Sequence, residues 1–598
     1  LYRRWRVLVI AGPILGVGGA LGAQTPGAAS TDSVVARQRA QAVEDSIRAA
    51  RDSMTLAARC RGERIRDIVI VPQPPTVITT RGAVTRFLLK VALQQATTHE
   101  HVVRAFLQFG VGDACSPQAL AETQRILRAQ PFIADAKVIV VPDSANSVAV
   151  QVETVDEIPP VIGGSISRNG LNSLTLGNAN LAGEGLYMAG NWMRGGFYRD
   201  GFGGQFNHYH MFGEPFILSI SGQRRPLGGD VALSLGHPWI TDLQRTGFDI
   251  GYRRSTDYVG FRRDGTDPSL SIDRRDWDVG AVGRLGLLAR RVMAGMLVTH
   301  EAVNPAASGV MITNEGLIPD STGALNGRYA PFENDRVNLV LGVRLLDFVR
   351  VSGFDALEAS QDLARGLQLW TRVGRSVPWF GATDRDDFAA MDLYSGAGSE
   401  SWFTGMRLQG EVRRDRDTGR WDGLVTSGRL AWYFKSGFSR TLVLAGEFSG
   451  AWRERIPFQL TFADPSGGLR GFGWSTAAGG QRLVARAEHR WLRGRATSHA
   501  AWGFAAFADA GKLWAGDVPF GTTTGVNASV GAGLLLAIPS QSQQLLRLDV
   551  ATPVTPNGGS HWEVRFTAQN LARAFWREPG DIARVRAAAP SSAIFATP

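Results

Sequence analysis

Few residues in this chain have the type and spacing that chemistry would need. The stretch GGLRGFGWSTAAGG, which places Arg470 among Gly467, Gly468, Gly471 and Gly473, has the glycine content of a phosphate cradle. A phosphate loop, however, sits between a strand and a helix and, for nucleoside triphosphates, closes on Gly-Lys-Ser/Thr. Here the residues that follow, QRLVARAEHRWL, alternate as a strand does. His208 and His210 share one strand face and could hold a metal, but a third ligand is not in sight, and paired histidines are ordinary wall residues. THEH (98–101) lacks the His-Glu-x-x-His spacing and reads as a helix start. No Gly-x-Ser-x-Gly elbow is present to serve a hydrolase. Neither catalysis, a metal nor a cofactor is implied.

The elements that carry these residues divide the chain into five parts. Arg3, Arg4 and Arg6 followed by VLVIAGPILGVGGALGA read as a secretory signal peptide over 1–23, cleaved near Gly22 or Ala23. No later run of about 20 apolar residues predicts a membrane helix. Residues 24–60 carry a helical pattern over 31–59, with Val43, Ile47, Ala50 and Met54 on one face, and read as a spacer. Cys60 and Cys115 belong to an exported region where a disulfide can form. The formal charge of +10 is almost all arginine, since only Lys90, Lys137, Lys435 and Lys512 are lysines. It is spread without dense basic runs, which argues against nucleic acid as a partner.

Residues 61–157 read as one α/β unit in the order β-α-α-β-β. A strand over 65–71 precedes helical stretches at 101–109 and 117–129, the second with Ser116 as its cap and Pro117 in its first turn. Strands follow over 137–141 and 147–153, the latter with Val148, Val150 and Val152 on one face. From 158 to 570 segments of about ten residues alternate between Gly, Asn, Asp and Pro turns, the pattern of a transmembrane β-barrel. In HWEVRFT, Trp562, Val564 and Phe566 face one side while Glu563 and Arg565 face the other; in LLRLDVA, Leu546, Leu548 and Val550 oppose Arg547 and Asp549. Residues 571–598 read as a short periplasmic helix and a tail.

Two regions resemble one family. FGVGDACSPQALAETQRILRAQPFIADAKVIVV with VAVQVETVDE is similar to a POTRA domain, through Gly-Asp before the second helix, Leu127, Pro131-Phe132 and the acidic close at Asp156-Glu157. GNANLAGEGLYMAGNW, FADAGKLW, VGAGLLLAIP and LRLDVATPV resemble the opening and closing strands of the barrel in the outer-membrane protein assembly and translocation superfamily, the BamA, TamA and two-partner-secretion type. That resemblance implies an all-β transmembrane barrel of 16 antiparallel strands behind one POTRA domain in the periplasm.

It also implies that LRGF is the tip of a loop folded back into the lumen. Alternation puts Arg482, Arg486 and Glu488 on one face of their strand and Asp509 on the inner face of the next. An internal lock is therefore expected in which Arg470, flanked by Gly471 and Phe472, pairs with Asp509 and Glu488. The expected function is assembly or insertion of outer-membrane proteins. Unfolded outer-membrane or secreted clients would add to the edge strand Lys137, Val138, Ile139, Val140 and Val141. They would then pass to a seam marked by Gly163, Gly164, Trp562 and Phe566, beside outer-membrane lipid and accessory periplasmic proteins or lipoproteins. A two-partner-secretion pore for one exoprotein, with the helix at 31–59 as its plug, and a passive channel are the alternatives.

Overall fold

A computed structural model describes residue 60, 62–75, 97–555 apart from 145, 168–169, 197, 264–266, 286–291, 380, 438 and 498–499, then 562–569, 575–586 and 594–595. The signal peptide and the helix expected over 31–59 lie outside the described residues.

The N-terminal unit contains β1 (Arg64–Gln73), α1 (Glu100–Arg104), α2 (Pro117–Arg128), β2 (Ile133–Ser144) and β3 (Ser147–Asp156). Its sheet has the order β1-β3-β2, with β1 parallel and β2 antiparallel to β3. Ser116 Oγ accepts the N–H of Ala119 and caps α2, while Pro117 occupies the first turn, where no N–H is required. Along β3 every second residue is buried, so Val148, Val150 and Val152 meet Leu120, Ile126, Leu127 and Phe132 in one core. A disulfide joins Cys60 to Cys115 and ties the chain before β1 to the segment entering α2.

From the strand Pro160–Ser167 to the strand Glu563–Gln569 the chain forms a nearly closed antiparallel barrel of about 20 spanning strands. A small hairpin, Val310–Thr313 with Gly316–Pro319, extends one rim. The expected count of 16 is corrected. It rested on resemblance, and the chain spends its length on strands: the turn between Gly398 and Trp402 has only three residues and is closed by a 2.7 Å hydrogen bond from the Ser399 N–H to the Trp402 carbonyl. Barrel diameter grows with strand number, so this barrel encloses a wider lumen than one of 16 would.

The alternation sorts the two faces. Trp562 (69 % exposed), Val564 and Phe566 point outward, as do Leu546 and Leu548, whereas Arg547 and Asp549 are buried inside. An apolar exterior with a charged interior is the arrangement of a membrane-spanning barrel, since closure satisfies every backbone group without water. The last strand meets the first more thinly than any other neighbouring pair of spanning strands.

The N-terminal unit is docked against one end of the barrel. Arg128 donates from Nε and Nη2 to the two carboxylate oxygens of Asp362 (2.9 and 2.7 Å). Arg125 donates to the Ile240 carbonyl (2.5 Å) with its guanidinium over the Phe348 ring. At the connection itself, Asp156 accepts the N–H and hydroxyl of Thr98 (2.6 and 2.7 Å), and Glu157 accepts the hydroxyl of Ser542 (3.0 Å).

Candidate functional site

The lumen holds the densest chemistry of the molecule. Between the strands Arg440–Trp452 and Gln481–Thr497 the chain leaves the rim opposite the N-terminal unit and folds back inside. Glycine makes the reversal feasible at two points: Gly471 has φ +88°, and a Cβ on Gly468 would collide with the Phe462 carbonyl.

At the loop tip, Arg470 donates from Nε and Nη2 to the two oxygens of Asp509 (2.8 and 2.7 Å) and from Nη1 to Glu488 Oε2 (2.9 Å). The paired strands place both acceptors on the inner wall, with Arg486 opposite Asp509 and Glu488 opposite Phe507. The guanidinium lies 3.5 Å from the centroid of the Phe507 ring, which itself lies across Gly531, where a Cβ would collide with it. Arg547 donates to both oxygens of Glu488 (2.8 and 2.7 Å) and to Asp549 (2.7 Å), and Arg490 donates to Glu488 (2.6 Å). Three arginines, 470, 490 and 547, thus meet three carboxylates, 488, 509 and 549. Buried charges persist only when matched in this way. Phe472 (1 % exposed) is edge-on to Phe462 at 5.8 Å.

The loop tip also touches the last strand. Glu563 Oε2 accepts the N–H of Gly471 (2.7 Å) and of Gly473 (3.2 Å), while Arg565 donates to the Pro465 carbonyl (2.9 Å). Sequence alternation placed Glu563 inward but gave no partner, because the backbone N–H groups that find it belong to a segment 90 residues away.

A second segment occupies the lumen. The C-terminal residues, read from sequence as a short periplasmic helix and a tail, are within the barrel where they are described. They leave the last strand at the end facing the N-terminal unit. The Trp576 carbonyl accepts from Arg407 Nη1 (2.9 Å), and its ring packs over Gly405 and beside Tyr394. Glu578 accepts from the Ser427 hydroxyl (2.6 Å) and Arg586 Nε (2.9 Å). Asp581, in the short helix α3 (Gly580–Ala583), accepts from Arg482 Nη1 and Nη2 (2.5 and 3.1 Å). The carbonyls of Arg584 and Arg586 accept from Arg274 (2.8 and 2.9 Å). Ile582 and Val585 join the cluster formed by the loop residues Leu460, Phe462, Leu469 and Phe472. Further on, Ile594 and Phe595 pack at the wall against Trp239, Met293 and Trp370. The signal for this was present in Phe575, Trp576, Glu578, Asp581 and Arg586: buried aromatics and paired charges do not suit a loose tail.

The remaining expected residues are placed as follows. Lys137, Val138, Ile139, Val140 and Val141 lie on β2, at the edge of the sheet. There Gln124 accepts the Val138 N–H (3.2 Å) and Arg128 donates to the Ala136 carbonyl (3.1 Å), both from α2. Gly163 and Gly164 lie in the first barrel strand, and Phe566 in the last, with Trp562 just before it. His208 and His210 lie within one strand with ring centroids 4.7 Å apart, and His210 Nε2 donates to the Glu184 carbonyl (2.7 Å). His99 and His101 both face the carboxylate of Glu184, which no sequence spacing connects to them.

No protein-family model matches the chain, and no curated protein matches it. Among solved structures it is similar to BamA from Haemophilus ducreyi lacking POTRA domains 1–3, at 13 % identity over 85 % of this chain and 84 % of that one, TM-score 0.35. It is also similar to CdiB from Escherichia coli, at 11 % identity over 90 % of this chain and 97 % of that one, TM-score 0.36. A third likeness is to the alcaligin outer-membrane receptor FauA from Bordetella pertussis, at 9 % identity over 70 % and 64 % of the two chains, TM-score 0.28.

Proposed function

We propose that the protein is a gated conduit of the bacterial outer membrane that passes unfolded polypeptide without catalysis, in the manner of a dedicated secretion pore. The observation that carries this reading is the lumen itself: a wide barrel filled by two of its own segments, both held by ion pairs to the wall. A passive channel has no use for such a filling. A conduit that must stay shut until a client arrives does, and side-chain ion pairs can be exchanged one by one for contacts with a passing chain. The N-terminal unit would stand in the periplasm and offer β2, including Lys137 and Val141, to an extended client once Gln124 and Arg128 of α2 release the Val138 N–H and the Ala136 carbonyl. Backbone pairing there makes little demand on client sequence.

Assembly of other outer-membrane proteins is the second reading, and the thin meeting of the first and last strands favours it. Opening there would free the edges of the strands that carry Gly163, Gly164 and Phe566 for pairing with an incoming strand. The two readings separate on depletion of the protein followed by quantitative proteomics of the outer membrane and medium. The secretion reading expects one or a few exported proteins to vanish from the medium while resident barrels persist. A broad fall in resident barrels would sink it in favour of assembly.

A further inference from the structure

The geometry points to a transition-metal site where the N-terminal unit meets the barrel, formed by His99, His101 and Glu184 and suited to Zn2+. His99 Nδ1 donates to Glu184 Oε1 (2.7 Å) and His101 Nε2 to Glu184 Oε2 (2.9 Å). One ligand atom from each of the three residues lies within 4.8 Å of the others. Two imidazoles and a carboxylate are the borderline donor set that zinc takes, at about 2.0 to 2.2 Å, with a fourth position left to water. Mg2+ and Ca2+ seek oxygen cages and find only one carboxylate here.

The backbones that carry the ligands are already fixed to one another. The His99 N–H donates to the Gly183 carbonyl (2.9 Å), one residue before Glu184. Thr98, adjacent to His99, accepts from Asn180 Nδ2 at its hydroxyl (2.9 Å) and donates to Asp156, and all three side chains are buried. The Asn180 carbonyl oxygen of the side chain in turn accepts the Gly185 N–H (2.8 Å). Gly185, at φ +58°, lets the turn approach so closely that a Cβ would lie 3.0 Å from Val102 and 3.3 Å from Phe132 of the N-terminal unit. The anchors are therefore rigid, whereas the side chains of His99 (52 % exposed) and His101 (60 %) are open to solvent and able to turn inward onto an ion. Fixed anchors beneath solvent-exposed donors suit a site that an ion can reach and close.

The ligands come from both sides of the junction: His99 from the N-cap of α1, His101 from its first turn, and the glutamate from a barrel turn. An ion held there would pin the N-terminal unit in its docked position. This inference stands on the junction alone and is independent of what the conduit carries.

The test is titration of the full chain in detergent micelles with ZnCl2 by isothermal calorimetry. The expected result is one saturable Zn2+ per chain at micromolar concentration, weakened at least about tenfold when His99→Ala is combined with His101→Ala. The single changes His101→Gln and Glu184→Gln, at solvent-accessible positions, should each weaken it too, while His208→Ala should leave it unchanged. Loaded protein should also show slower amide exchange across 98–106. Absence of saturable binding in the unaltered chain would overturn the proposal, as would undiminished binding in the histidine variants, which would place any ion elsewhere.

Discussion

Arg470 offers a planar fork, and the wall offers it Asp509 edge-on, Glu488 at one tip and the Phe507 ring beneath. Lysine could supply the charge but neither the two-oxygen grip on Asp509 nor the flat stack on Phe507. Replacing Arg470 with Ala leaves Asp509 buried at 1 % exposure without its main cation, a loss of about 3 to 5 kcal/mol at the loop contact. The loop 453–480 should then detach while the barrel wall persists. Limited proteolysis of intact cells checks this: Arg470→Ala should be clipped within the loop at least tenfold faster than the unaltered protein, Arg470→Lys at an intermediate rate, and the heat-modifiable mobility of all three should stay the same. Equal clipping of all three would mean that the ion pairs do not hold the loop.

At the scale of elements, the connection between β3 and the first barrel strand carries two buried carboxyls. Burial pushes Asp156 from the ordinary 3.8 up to about 7, against the pull of its hydrogen bonds from Thr98. Burial likewise pushes Glu157 from 4.5 up to about 7, against the bond from Ser542. A carboxyl that binds its proton more tightly when docked than when released loses that proton on opening, so higher pH favours opening. The docked junction should be firmest below about pH 4 and should weaken as the pH rises from there through about 7. Hydrogen exchange over 98–106, corrected for the intrinsic pH dependence, should show less protection at pH 8 than at pH 5.5, and Asp156→Asn should flatten the difference. Protection that rises with pH would contradict this assignment.

The same elements show what a sequence can and cannot disclose. Alternation in LLRLDVA and HWEVRFT tells inner from outer face, because a period of two is local and each residue carries its own sign. The cap at Ser116 and the core valines of β3 are legible for the same reason. Strand number is not, because closure depends on how tightly turns such as Gly398–Trp402 are drawn, and turns of different length leave similar traces in composition. Contacts between distant segments are hidden as well. Asp581 and Arg482 are 99 residues apart, and Glu184 lies 85 residues from His99, so nothing in spacing points from one to the other. Arg470 became readable only because a family resemblance said which way its loop turns.

At the scale of the whole molecule, a barrel of about 20 strands has room for an inward loop and for its own C-terminal segment, and it contains both. The two are mutually supporting: Ile582 and Val585 pack on the loop cluster, and the Gly580 N–H donates to the Ser466 hydroxyl (3.3 Å). Asp581 on Arg482 and Glu578 on Ser427 fasten the tail to the wall, and removing the tail would leave the buried Arg482 guanidinium without Asp581. The described tail residues and the inward loop thus lie inside the barrel and against one another. Single-channel conductance in planar bilayers tests this most directly, comparing the full chain with one ending before residue 575 and with Asp581→Ala. The full chain should remain closed with brief small openings, the shortened chain should hold a steady conductance several-fold larger, and Asp581→Ala should flicker between the two. A full chain that already conducts steadily, or a folded shortened chain as silent as the original, would contradict a lumen gated by its own tail.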